Sequence, residues 1–189
     1  MKIAEKIEKG STMELKQKGA SDGPFHATLL WKTSVDLDLH CFYKLKDTGA
    51  PEPPKGFFAK LFSSTPASEG QVYYGSKGNR NGAPWISLDQ DSGVGDVGGD
   101  NEENMHFWNI DKIDFAIIVA NIYAKNTNFA QFGGRVIVEG GGNKFEVPLS
   151  ETKSGSWCVV ASIDNRSGNP RLTNVNQVQS SKPSLNSFM

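Results

Sequence analysis

The sequence predicts an all-β protein, an antiparallel β-sandwich of two packed sheets with a long acidic loop. Three observations carry that expectation. From Thr12 onward the chain is a succession of short apolar runs punctuated by Gly, Asn, Asp and Pro, with no long helical period. Ile113–Tyr123 (IDFAIIVANIY) is apolar on both faces and rich in β-branched residues, the composition of a central strand covered on both sides. Val35–Tyr43 alternates instead: Val35, Leu37, Leu39, Cys41 and Tyr43 share one face, and Asp36, Asp38, His40 and Phe42 share the other.

Taken in order, Met1–Gly10 (MKIAEKIEKG) is too short and too charged to pack alone, and residues 1–11 are expected to be a mobile arm. Strands are expected at Met13–Gln17, Phe25–Lys32, Val35–Tyr43, Gln71–Tyr74, Trp85–Leu88, Asn104–Trp108, Ile113–Tyr123, Gly133–Glu139, Lys144–Leu149 and Ser156–Ile163. These make residues 12–163 one sandwich domain, a size that 189 residues can supply with a proper core. Residues 46–70 interrupt the strand spacing as an inserted Pro- and Ser-containing loop. Within it, Phe57, Phe58, Leu61 and Phe62 fit one face of a two-turn helix, which either tucks against the sandwich or forms a partner-docking patch. After Asp164 the chain turns polar and aperiodic, so residues 164–189 are expected to be an extended or disordered tail, with a short strand around Pro170–Val175 as the exception.

The net charge of −1 gives no global field to recruit nucleic acid. Its placement is uneven, however. Residues 81–111 hold seven acids and no Lys or Arg, which leaves +6 for the remainder. With no apolar run of 18 residues and no signal-peptide h-region, a soluble, cytoplasmic protein is the expectation. Cys41 and Cys158 sit in apolar segments and read as buried free thiols.

The densest acid lies in Asp89–Glu103, D-Q-D-S-G-V-G-D-V-G-G-D-N-E-E, where Asp89, Asp91, Asp96, Asp100, Glu102 and Glu103 share fifteen positions with four glycines. Two carboxylates about 4 Å apart repel by roughly 4 kcal/mol at an effective dielectric near 20. A folded loop that gathers several therefore calls for a cation, unless they splay into water. Asp36 and Asp38, two apart on one strand, project from one face and add a second pair. Oxygen-only donors suit Ca²⁺, and Gly93, Gly95, Gly98 and Gly99 permit turns that aim carbonyls inward. Zinc fits less well, because His26, His40, His106 and the two cysteines are scattered. The loop is not an EF-hand: counting from Asp89, position 6 is Val94 and position 12 is Asp100.

Enzymatic readings are weak. The acids are too many and too solvated to imply one raised and one ordinary pKa, and Cys41 and His40 point to opposite faces of their strand. Trp31, Trp85, Trp108 and Trp157 lie in or beside strands, where core packing is the default over carbohydrate stacking.

The segment D-L-D-L-H-C-F-Y (residues 36–43) resembles the D-L-D-A-S-A-F element of the tellurium-resistance TerD family, and the acidic loop resembles its G-D-N-x-T-G-x-G-x-G-D-D-E loop. Ile113–Tyr123 and N-F-A-Q-F-G-G-R-V (residues 128–136) are similar to two further elements of that family, in order. The resemblance covers about residues 12–163. It implies a β-sandwich that binds calcium through the D-x-D acids and the loop, in cytoplasmic proteins linked to tellurite and general stress resistance, phage inhibition and colicin tolerance. Carried over by position, Asp36 and Asp38 match the D-x-D acids, and Asp89, Asp91, Asp96, Asp100 and Glu102 match loop acids or their neighbours. The loop is about two residues longer, which leaves open one ion or two. The 46–70 insertion and the tail depart from the family as well, so a divergent member is implied.

The expected function is therefore non-catalytic calcium binding, with the metal organising a surface for other proteins of a stress-resistance system. The alternative is a calcium-dependent carbohydrate- or membrane-binding sandwich. Oligomeric state is not legible.

Overall fold

The computed structural model describes residues 5–15, 24–47, 67–89, 101–123, 128–140 and 142–189. Twelve strands form two sheets: β1 (Glu5–Lys6), β2 (Thr12–Glu14), β3 (Phe25–Trp31), β4 (Leu37–Leu45), β5 (Glu69–Val72), β6 (Ile86–Leu88), β7 (Asn101–Phe107), β8 (Ile113–Ile122), β9 (Arg135–Gly140), β10 (Asn143–Pro148), β11 (Trp157–Asp164) and β12 (Arg171–Gln179). Sheet A runs β1-β10-β9-β3-β7-β6 and sheet B runs β2-β12-β11-β8-β4-β5. The pairings are antiparallel except for β1, which joins β10 in parallel. All ten strands expected from the sequence are present, with ends shifted by at most three residues.

Alternation sets the faces. On β3, Phe25, Ala27, Leu29 and Trp31 enter the core, while His26, Thr28 and Leu30 face outward. The two-sided strand β8 is covered twice. Ile113, Ala116, Ile118, Ala120 and Ile122 belong to the core between the sheets, and Phe115, Ile117 and Val119 belong to a second cluster on the outer face of sheet B. Leu185 and Phe188 of the C-terminal segment cover that second cluster.

The two chain ends differ from expectation. The arm is pinned: β1 lies against Phe145 and Glu146, and Ile7 is buried in the main core. The polar tail supplies β12, which begins where the sequence predicts a short strand around Pro170–Val175 but runs on to Gln179 as a nine-residue strand next to β11. Its inward positions are Leu172, Asn174, Asn176 and Val178, so half of them read as polar in the sequence. Asn174 Nδ2 donates to Ile7 O at 2.6 Å, and Asn176 Nδ2 donates to Pro148 O at 3.4 Å. A buried amide is tolerated when it is hydrogen-bonded, and these partners are 167 and 28 residues away. The inserted patch Phe57, Phe58, Leu61 and Phe62 lies outside the described residues. Among the described residues, no helix is long and apolar enough to cross a membrane.

Candidate metal and ligand-binding face

Strand β4 places the first acids. Leu37, Leu39, Cys41 and Tyr43 enter the main core and Phe42 joins the outer cluster, so Asp38 and His40 lie on the outer face of sheet B. Asp38 is only 4% exposed and is in register with Asn121, also 4% exposed. Asp36 is half-buried just before the strand, and its carbonyl accepts from Tyr123 N at 3.2 Å.

The acidic segment leaves β6 and returns as β7. Asp89 closes the base of that hairpin: its N–H donates to Asn104 O, and Asn104 N donates to Asp89 Oδ1, both at 3.0 Å. Asp91, Asp96 and Asp100 lie outside the described residues. Where β7 begins, the pairing of Glu103 with Leu29 and of Glu102 with Leu30 fixes the phase. Leu29 is a core residue, so Glu103 turns inward and is 0% exposed. Glu102 is exposed on the opposite face, where its Oε1 accepts from Asn104 Nδ2 at 2.8 Å. Expected among the ligands, Glu102 thus faces away from β4, and its neighbour Glu103 faces toward it.

Glu103 reaches across the sandwich to β4. Leu39 N donates to Glu103 Oε2 at 2.6 Å, a short charge-assisted bond. The pairing of β5 with β4 runs from Cys41 to Lys44, so the Leu39 amide lies past its end and a side chain from the other sheet takes the strand's place. Nearby, Asn101 Nδ2 donates to Thr33 O at 2.8 Å, which ties the start of β7 to the turn before β4. Asp36, Asp38, Asn101 and Glu103 offer oxygen donors, the hard set that suits calcium. Among the described residues alone, however, no three His, Cys, Asp or Glu side chains gather closely enough to hold a metal.

His40 is the hub of an aromatic group. Its ring stacks on Tyr73 (5.7 Å, 8°) and meets Trp157 (5.1 Å) and Tyr74 (6.4 Å, 79°). Lys182 Nζ, which can only donate, bonds Gln71 Oε1 at 2.6 Å. The Gln71 amide nitrogen therefore faces His40 Nδ1, 2.7 Å away, and Nδ1 must accept. That assigns the proton to Nε2 and leaves His40 without a lone pair for a metal. Burial, reinforced by the Lys182 charge, lowers the imidazole pKa to about 4. Cys41 points into the core on the opposite face, and burial pushes its thiol far up, so no Cys–His pair forms. Tyr74 and Tyr123 are 42% and 58% exposed, with their hydroxyls 2.9 Å apart. The Tyr74 hydrogen bond foremost, then burial and the charges of Tyr74, Asp38 and Asp36, push the Tyr123 phenol up.

The outer face of sheet A carries a second row. His26 faces His106 (6.0 Å), His106 stacks on Trp108 (5.3 Å, 25°), and the Arg80 guanidinium lies 4.0 Å over Trp108. Trp31 is a core residue, as the sequence suggested, whereas Trp108 and Trp157 are half-buried on outer faces.

No protein-family model and no curated protein matches the chain. Solved structures do. SAV2460, a protein of unknown function, aligns over 86% of this chain and 92% of its own with a TM-score of 0.57 and 14% identity. SCO6318 from Streptomyces coelicolor A3(2), a homologue of the telluride resistance protein TerD, aligns over 86% of this chain and 94% of its own with a TM-score of 0.56 and 16% identity. At these identities the likeness is one of fold, and the chain has a divergent TerD-like fold.

Proposed function

We propose that this chain is a divergent TerD-like protein, a non-catalytic calcium-binding sandwich of a tellurite and general stress-resistance system. Asp36 and Asp38 on one side and Glu103 on the other would hold one or two calcium ions together with the loop acids Asp91, Asp96 and Asp100, and Asn101 is a further oxygen donor. When bound, calcium supplies the positive charge that offsets the mutual repulsion of its carboxylate ligands. The observation that carries the reading is the Glu103 carboxylate, fully buried at the mouth of an acidic loop and bonded to the strand that bears Asp38. The likeness to a TerD homologue supports the same reading from the fold.

The metal site then orders a surface for other proteins of that system, in the cytoplasm, with no nucleic-acid partner. Calorimetry of chelator-treated protein tests it. A ligand at 100 times its Kd adds about 2.7 kcal/mol, so the melting temperature rises as calcium is restored and falls again with chelator. No shift at millimolar calcium overturns the reading.

A further inference from the structure

We propose that the outer face of sheet B holds a binding site for a soluble saccharide, walled by Tyr74, Tyr123 and Trp157 and floored by His40 and Asn121. The register builds it. Trp157 pairs with Asn121, and Asn121 with Asp38, so the three side chains lie in one row across β11, β8 and β4. One step along the strands, His40 stacks on Tyr73, and Tyr73 meets Tyr74 edge to face at 5.1 Å. Further down the same face, Leu185 and Phe188 cover the apolar side chains. The upper part instead ends in Tyr74 and Tyr123, which with Met189 are the exposed large hydrophobic residues of the described chain.

The polar atoms choose the ligand. His40 Nε2, a donor by the tautomer argument, is buried and has no hydrogen-bond partner among the described residues. Asn121 Nδ2 donates to Ser156 O at 2.9 Å, which leaves the amide oxygen as its acceptor. A site offering an N–H donor and an amide acceptor between aromatic walls suits a hydroxylated ring, whose OH groups donate and accept and whose C–H faces pack on tyrosine. An organic cation would satisfy the rings but not the imidazole N–H. The walls also set the shape. Tyr74 and Tyr123 stand edge to face at 67°, their centroids 6.3 Å apart, so they form one angled wall and not the coplanar platform that a flat insoluble polymer needs.

The site needs no metal, so it is tested apart from the calcium reading. Full-length protein is applied to an array of soluble oligosaccharides in chelator and in calcium, and the binders are titrated by calorimetry. Binding in both buffers is expected. Tyr74→Ala and Tyr123→Ala should each weaken it tenfold or more, as should His40→Phe, which keeps a ring and removes the N–H. Circular dichroism confirms that each variant folds. The proposal is overturned if no soluble glycan binds in either buffer, or if the binders are held equally well by the Tyr74→Ala/Tyr123→Ala double variant. Binding of tetramethylammonium that Tyr74→Ala abolishes, in place of any glycan, would make this a cation site and overturn it too. The calcium-induced melting shift without glycan reports on the metal separately.

Discussion

Glu103 offers the most direct test of how structure and metal are linked. Its buried carboxylate accepts from Leu39 N at 2.6 Å, and a hydrogen bond to a charged group contributes about 1.5–3 kcal/mol net. Glu103→Ala removes that bond, strands a buried amide and opens a cavity, so metal-free protein should lose about 3 kcal/mol. For a chain of this length that corresponds to roughly 6–12 °C in Tm. Glu103→Gln keeps an acceptor oxygen for Leu39 and also removes a buried charge, so its loss in chelator should stay under about 1.5 kcal/mol. Calcium separates the two roles. In wild type, saturating metal should raise Tm by about 5–11 °C, whereas Glu103→Gln should show almost none of that rise. Calorimetric scans of both variants with chelator and with calcium provide the measurement. If Glu103→Gln keeps the full calcium shift, Glu103 is not a ligand; if Glu103→Ala costs nothing in chelator, the bond across the sandwich is not structural.

Three further outcomes follow from packing and charge. Gly140→Ala would drive a methyl into the buried Phe25 ring, and such overpacking costs about 1–3 kcal/mol; an unchanged urea midpoint would refute the contact. Asn174→Ala should cost about 2 kcal/mol by leaving the Ile7 carbonyl unpaired and should speed amide exchange in residues 5–15, whereas unchanged exchange there would show that Asn174 does not pin the arm. The Arg166 side chain, hydrogen-bonded to Asp164, holds that carboxyl below its usual range. Its folded pKa lies under its unfolded one, so the contribution is full above the ordinary carboxylate range and is lost as pH falls through the folded value. Arg166→Ala should therefore flatten the acid side of the stability–pH profile, and an identical profile would remove Arg166 as the cause.

Much of the fold is legible because side-chain period encodes it. Strand β4 alternates, and its faces lie where the alternation put them; β8 is apolar on both faces along most of its length, and those apolar side chains are covered on both. Only the start of β12, around Pro170–Val175, is legible, and its full length hides behind polar inward residues, since Asn174 and Asn176 are buried on partners remote in sequence. The spacing of Asp36 and Asp38 singled them out, and alternation puts Asp38 on the outer face of β4. Glu102 and Glu103, adjacent in the chain, face opposite ways, and only the pairing of β7 with β3 says which one enters the core.

By itself the sequence determined the class of the fold, the faces of its strands and the concentration of negative charge between β6 and β7, because each is written in local period or composition. Tertiary structure decided what those groups do. It sent Glu103 across to Leu39, set the His40 tautomer through Gln71 and a lysine 111 residues further along the chain, and gathered Tyr74, Tyr123 and Trp157 from three separate segments. Hydrogen-bond partners and neighbouring rings depend on which strands become adjacent, and that adjacency arises only when the two sheets close over a common core.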